Sequence, residues 1–283
     1  MDAVSAAIEA DWLGACRRAS RRLAAMLAAT SGIAERARET GSRGSGGDRT
    51  LIIDEAAESI VLEELDRLHA AGHQFSAISE ERGEIDFGDS AVRVVIDPID
   101  GSLNAKRGLP HHAVSIAVAT GNTMADVEFG YVFDFGPQEE WWARRGEGAW
   151  LNGEQLDPDL QERRGRDGRL EVLGIESADP RWVKASIDEL GVVAYRLRAL
   201  GAIAPALCQV AASRLDGLVS LHNCRAVDAA AGQLIVRESG GVVSFPRCSA
   251  PLSAPLDTEP RSPVVAARSP ETLHELERVP DLG

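Results

Sequence analysis

Two aspartates three residues apart, Asp97 and Asp100, stand in "VRVVIDPIDGSLNAKRG" behind an apolar run and ahead of a glycine and a serine. Pro98 has no N–H to donate and disfavours helix at the residue before it, so the strand is expected to end at Asp97. A turn or helix start follows, and a spacing of three returns the Asp100 carboxylate to the face of Asp97. The Ile99 carbonyl between them is free to point inward, and the N–H groups of Gly101 and Ser102 open a helix start of the kind that binds phosphate oxygens. Two carboxylates, a carbonyl and small donors make a hard-oxygen site suited to Mg2+. The plain alternative is a capped turn after a buried strand. Two competing motifs fail on spacing. An aspartyl-phosphate transferase needs Asp-x-Asp, and a calcium EF-loop counted from Asp97 would need an acid where Gly108 stands.

Other acids occupy similar corners. "SEE" (Ser79 to Glu81) follows a short strand upstream, and "IIDEAAE" puts Asp54 where an apolar piece turns into a helix. "RAVDAAAGQLIVRESGG" starts a helix with Asp228, whose carboxylate would sit near the positive end of the helix. Each alone reads as a cap or surface acid; together they make a constellation.

The elements that must carry these residues alternate between helix and strand. One or two opening helices are expected from Val4, Ile8, Trp12, Leu23 and Leu27. "TGSRGSGGDRT" (Thr40 to Thr50) reads as an irregular, mobile loop and lacks the Gly-Lys-Ser/Thr ending of a nucleotide-binding loop. An amphipathic helix then runs to Gly72. "FSAIS", "AVRVVID", "HHAVSIAVAT" and "ADVEFGYVFDF" read as strands, and "EEWWARRGEGAWLNG" as further strand and turn. A polar stretch from Asp157 to Gly168 suggests two halves, 1–157 and 158–283, forming one compact unit. In the second half, strands "LEVLGI", "VVAYRL", "LDGLVSL" and "GGVVSF" alternate with helices at Asp179 to Leu190, "IAPALCQVAAS" and "AVDAAAGQLIVRES". That pattern indicates an α/β layer. "SPVVAA" and a short helix close the chain.

Composition narrows the function. With 283 residues, 44% apolar content and a formal charge of −14, the chain can bury a large core but lacks the basic footprint of a nucleic-acid binder. The same charge would repel an anionic substrate unless bound cations reverse it locally. No export signal or membrane span is read, and Cys16, Cys208, Cys224 and Cys248 lack any CxxC pairing, which together point to a cytoplasmic protein with reduced thiols. "HELER" from His274 lacks the second histidine of a zinc HExxH, and His111-His112 are expected to pack near the site entrance.

At this point the sequence resembles the inositol monophosphatase-like, Mg2+-dependent phosphatases. Glu80-Glu81, "DPIDGSLN", "DAAAG" and "ESGG" stand in the family's order, and "GLPHHAVSIAVA" and "RRGEGAWLNG" resemble its intervening segments. The resemblance implies an αβαβα sandwich and metal-assisted hydrolysis of a small polyol or sugar phosphate in a homodimeric, lithium-sensitive enzyme. It assigns one Mg2+ to Glu80, Asp97 and the Ile99 carbonyl, and a second to Asp97, Asp100 and Asp228. Two such ions would sit about 3.5–4 Å apart and clamp an in-line displacement. A third ion near Glu80 and the Gly-rich loop is a further option. Ser102 with Asp54 would orient the attacking water, and the Gly101 and Ser102 amides would hold the phosphate. Gly201 and Ala202 in "LGAIAP" would approach the alcohol, where a simple helix start reads as well.

The departures concern the substrate. Ile53 and Val227 replace the family's Thr and Trp, and Ser102 replaces the commoner Thr while keeping the hydroxyl. No acid stands at Ser220 or Leu221, where inositol-specific members place one, and Arg225 resembles the archaeal-type members that also accept fructose 1,6-bisphosphate. Arg225 would neutralise a second phosphate or form a structural ion pair. Inositol monophosphate is the leading substrate, with fructose 1,6-bisphosphate, histidinol phosphate and 3′-phosphoadenosine 5′-phosphate as alternatives. A non-catalytic regulator binding metal or sugar phosphate is the rival of a different class.

Overall fold

In the computed structural model, which describes residues 7–30, 32, 39–43 and 49–280, helix α1 (Trp12–Ala29) buries Trp12, Ala15, Cys16, Ala19, Leu23 and Leu27. That spacing is the apolar stripe of a half-immersed helix. Asp11 starts it by accepting the Gly14 N–H at 2.9 Å. Val4 of the expected opening helix lies outside the described residues.

Strands β1 (Glu39–Arg43) and β2 (Arg49–Leu51) then pair antiparallel. This corrects the irregular reading of Thr40 to Thr50: both flanks are extended, since a backbone ladder satisfies N–H and C=O groups whatever the side chains. Residues 44–48 lie outside the described set. Helix α2 (Ile52–Ala70) follows and packs with α1 against one face of the first sheet.

That sheet has seven strands, in the order β3 to β9. They are β3 (Phe75–Ser79), β4 (Gly83–Asp100), β5 (Ala113–Ala119), β6 (Val127–Asp134), β7 (Glu139–Arg144), β8 (Gly148–Leu151) and β9 (Glu154–Gln155), with helix α3 (Ser102–Arg107) after β4. β4 meets β3 twice. Its first limb runs back along β3, with Ile85 opposite Ala77, and its second runs forward beside it, with Val94 opposite the same Ala77.

The second sheet is mixed, in the order β11-β10-β12-β14-β13. β10 (Leu170–Glu176) is followed by α4 (Pro180–Ala185) and α5 (Ile187–Val193), where one continuous helix was expected. The break falls at Ser186, whose φ of −101° and ψ of 8° leave the helical range. Then come β11 (Ala194–Arg198), α6 (Ile203–Ala211), β12 (Gly217–Ser220), α7 (Ala226–Glu238), β13 (Val242–Ser244), β14 (Val265–Ala267) and α8 (Pro270–Leu276).

Burial places these elements in layers. All of Ile203–Ala211 in α6 is buried, as is all of 226–236 in α7, and both share one core with residues of the two sheets. A helix apolar on every side belongs between layers. Gly130 permits the close approach: a Cβ there would lie 2.7 Å from the Ala231 carbonyl oxygen of α7. The outer face of the second sheet packs with Leu190 of α5 and Leu276 of α8. The order is helices, sheet, helices, sheet, helices. Trp141 is fully buried, and Trp142 stacks on Trp150 at 4.0 Å between ring centroids. All four cysteines are free thiols. Among the described residues, no helix is long and apolar enough to cross a membrane.

Candidate active site

The turn after β4 is built on a bulge. Asp97 lies opposite Ser115 and Asp100 opposite Ala113, so three steps on β4 face two on β5. The strand therefore continues through Pro98 to Asp100 instead of ending at Asp97, because a bulge needs no N–H from its extra residue. Asp97 Oδ1 accepts the Ile99 N–H at 2.9 Å. Gly101 turns the chain into α3 with φ +81°, and a Cβ there would lie 2.9 Å from both Ala202 Cβ and the His111 carbonyl oxygen.

Three hydrogen bonds tie this region down, two to the Leu200–Ala204 segment and one to His111. Asn104 Nδ2 donates to Leu200 O at 2.7 Å and to His111 O at 2.9 Å. The Ala204 N–H, in the first turn of α6, donates to Asp100 Oδ2 at 2.6 Å. Gly201 and Ala202 thus lie against Gly101. His111 itself sets Nδ1 3.0 Å from the buried Asp134 carboxylate.

The remaining acids come from three other elements. Asp54 is in the first turn of α2, four residues before Glu58, on the same helix face. Glu58 accepts the Arg82 N–H at 3.1 Å and pairs with its guanidinium at 2.9 Å, which moors the Glu80-Glu81 turn to that helix. Asp228, in the first turn of α7, accepts the Arg225 N–H at 3.2 Å. The Arg225 guanidinium lies 2.7 Å from Glu80 and 3.7 Å from Asp228, so it forms ion pairs inside the acid cluster. Asp54, Glu80, Ile99, Ser102 and Arg225 line one pocket of about 70 Å3.

These carboxylates crowd one another in a dry environment. Asp54 is 8% exposed, Asp97 2%, Asp100 7% and Asp228 8%. Burial pushes Glu80 up to about 8, against the pull of Arg225, with Asp228 adding to the rise. Burial also raises Asp97 well above the usual carboxylate range, with Glu80, Asp100 and Asp228 adding to it. Asp100 is raised likewise, by burial and then by Asp228. An all-oxygen, anionic donor set facing the Arg225 guanidinium fits a hard divalent cation. Among the described residues no three acid, histidine or cysteine side chains are placed to hold a metal ion by themselves. Mg2+ characteristically takes a few carboxylates and completes its shell with water and phosphate oxygens.

Of a second pocket, sequence reasoning named Gly201 and Ala202 but missed Glu176, Ser177 and Ala178. Asp100, Glu176, Ser177, Ala178, Ala199, Gly201 and Ala202 are among the residues lining a cleft of about 270 Å3. Glu176, the last residue of β10, accepts the Leu200 N–H at 2.9 Å and the Gly201 N–H at 3.0 Å. Burial pushes its carboxyl up to about 7, against those N–H groups. The sequence signal was an acid closing an apolar strand, in "LEVLGIE".

A layered α/β fold with a carboxylate-rich centre drawn from the ends of several elements is the class these features define. The chain belongs to the inositol monophosphatase family, whose profile matches residues 12–279. It is 33% identical over 275 residues to a protein of Methanothermobacter thermautotrophicus named fructose-1,6-bisphosphatase/inositol-1-monophosphatase, covering 93% of this chain and 94% of the relative. It is 37% identical over 210 residues to the protein named Nus factor SuhB of Escherichia coli, covering 73% and 74%. Among solved structures, an inositol monophosphatase–fructose 1,6-bisphosphatase superposes with a TM-score of 0.80 at 26% identity, covering 95% of this chain and 99% of that one. The extragenic suppressor protein suhB of Bartonella henselae superposes with a TM-score of 0.76 at 27% identity, covering 96% and 98%.

Proposed function

We propose that this protein is a Mg2+-dependent phosphomonoesterase that hydrolyses a small polyol or sugar phosphate, with inositol monophosphate the leading candidate. The observation that carries the reading is the convergence of Glu80 from the β3–β4 turn, Asp97 and Asp100 from the end of β4 and Asp228 from α7 into one mutually repelling set. Glu80, Asp97, Asp100, Asp228 and the Ile99 carbonyl are the residues to hold two Mg2+ ions, with a third as an option. The bound ions supply charge neutralisation for the phosphate and acidify water.

The chain's own groups do the rest. Ser102 and Asp54 line the same small pocket, where the hydroxyl orients the attacking water and the carboxylate takes its proton. The Gly101 and Ser102 amides hold phosphate oxygens. Gly201 and Ala202 border the alcohol, and Arg225 balances the acids from the solvent side. No side chain is phosphorylated, since water attacks directly. The relatives' names support hydrolysis of inositol monophosphate or fructose 1,6-bisphosphate. The relatives named Nus factor SuhB favour a second reading, in which the chain acts as a regulator through a partner instead of by turnover. A homodimer in the cytoplasm accompanies the first reading.

The test is phosphate release from a panel of sugar and polyol phosphates, with and without Mg2+, by wild type and Asp97→Asn. Turnover that needs Mg2+ and vanishes in the variant supports the enzyme. Mg2+ binding at Asp97 without release from any ester supports the regulator.

A further inference from the structure

Glu176 and Ser177 form the corner at the carboxyl end of β10, which runs parallel to both of its neighbours, β11 and β12. Ligands of α/β sheets gather outside the carboxyl ends of parallel strands. Ser177 is held at φ +54°, and a non-glycine residue in that region carries strain of the kind found at ligand-binding corners. Its Oγ lies 3.3 Å from Ser220 Oγ, on the adjoining strand.

The cleft beyond this corner begins at Asp100 and holds about 270 Å3, room for a six-carbon polyol. Among the described residues its walls contain no Lys, Arg or His. The one other charged lining residue is Glu176, fixed in place by the N–H groups of Leu200 and Gly201. Its Oε1 already accepts from both Leu200 and Gly201, at 2.9 and 3.3 Å, whereas Oε2 accepts from Gly201 at 3.0 Å, so the acceptor site left for a hydroxyl is on Oε2. A phosphate offers only acceptors and negative charge.

We propose that Glu176 sets the substrate class: its carboxylate receives hydroxyls of the departing alcohol in this cleft and disfavours a second phosphate there. The site then prefers polyol monophosphates over sugar bisphosphates. This inference rests on the phosphomonoesterase reading. Arg225 does not offset the effect, because it lines the other pocket and is paired with Glu80.

The experiment compares kcat/KM for inositol 1-phosphate, fructose 1,6-bisphosphate and p-nitrophenyl phosphate in Mg2+ at pH 8, above the value of about 7 to which burial pushes Glu176. Wild type should favour the monophosphate over the bisphosphate. Glu176→Gln keeps the shape and removes the charge; it should cut that preference about tenfold or more, mainly through KM, the scale of losing a hydroxyl-reading group. Ala178→Lys places a cation at the exposed lip without touching the Leu200–Ala202 loop, and should shift the ratio in the same direction. Thermal melting in Mg2+ checks that both variants fold.

A wild-type preference for the bisphosphate overturns the proposal. So does an equal loss on all three esters in Glu176→Gln, which would make the residue only a brace for the loop. An unchanged ratio in Ala178→Lys overturns it too. If wild type releases phosphate from no ester, the enzyme reading fails, and calorimetric titration with inositol 1-phosphate decides this one. Binding about tenfold weaker in Glu176→Gln supports it, and equal or absent binding in the two proteins overturns it.

Discussion

Two pockets share the Asp97–Asp100 turn, and they are built on opposite principles. The smaller, of about 70 Å3, is walled by charged side chains, with Asp54, Glu80 and Arg225 around Ile99 and Ser102. The larger, of about 270 Å3, is walled by backbone and small side chains around a single further carboxylate, Glu176. The first is arranged to concentrate charge and, on the proposed reading, is the place for bond breaking. The second is arranged to leave room and, on the same reading, would be the place for recognition. Chemistry and specificity are therefore separable here, and the following changes test that separation.

The largest effect is expected from Asp97→Asn, which removes a carboxylate from the acid set behind the charged pocket. Mg2+-dependent turnover should fall at least about 10^3-fold on every ester alike, the scale of lost transition-state charge stabilisation, and calorimetry should show weakened Mg2+ binding. A loss confined to polyol esters would break the division between the pockets.

The charged pocket should also respond to pH in a definite direction. Because Glu80 is raised to about 8 by burial, and Asp97 and Asp100 are raised as well, loading a divalent cation must displace protons. Mg2+ affinity should rise between pH 6 and 9, with proton release measurable in buffers of different ionisation enthalpy. In chelator, these raised carboxyls favour the fold most below the ordinary carboxylate value, and their contribution is lost as pH rises through about 8. The melting temperature in chelator should decline over that range, and Mg2+ should abolish most of the decline.

Gly101→Ala acts on the wall the pockets share. Its Cβ would meet Ala202 Cβ and the His111 carbonyl oxygen at 2.9 Å, in a left-handed backbone. A destabilisation of about 1–3 kcal/mol is expected from denaturant melts, with activity falling on all esters because both sides move. The smallest effect belongs to Ser102→Thr, which keeps the hydroxyl and should stay within about threefold of wild type. Ser102→Ala, by contrast, should lose about 10^2-fold if the hydroxyl orients water.

The charged pocket is the more legible of the two in the sequence, for a physical reason. Its residues are of types that rarely sit buried, and they stand at strand and helix ends marked by Pro98, Gly101 and the Ala-rich run of α7. Alternating strand and helix periods gave an α/β layer, while the full αβαβα order came only from the family resemblance. In the larger cleft only Gly201 and Ala202 were legible, through the resemblance; Ala178 and the backbone N–H groups carry no distinctive side-chain signal. Glu176 is one acid among 44 Asp and Glu; "LEVLGIE" marks it as closing an apolar strand, but only the pairing of β10 between β11 and β12 puts that strand end at the cleft. The bulge at Pro98 was hidden because it depends on the partner strand β5, and the Asn104 bridge because its acceptor, Leu200, lies 96 residues away.

The double pairing of β4 with β3 has a consequence for how the molecule assembles. Residues 75–100 can zip into a three-limbed ribbon using contacts close in sequence, and such contacts form early and fast. Glu80, Asp97 and Asp100 are thus delivered together by one early unit. Asp228 arrives only when α7 slots between the two sheets, more than a hundred residues later. The complete acid set is in this sense a lock that closes last, and a cation gripping it would slow the opening of the finished structure far more than it would hasten the first collapse.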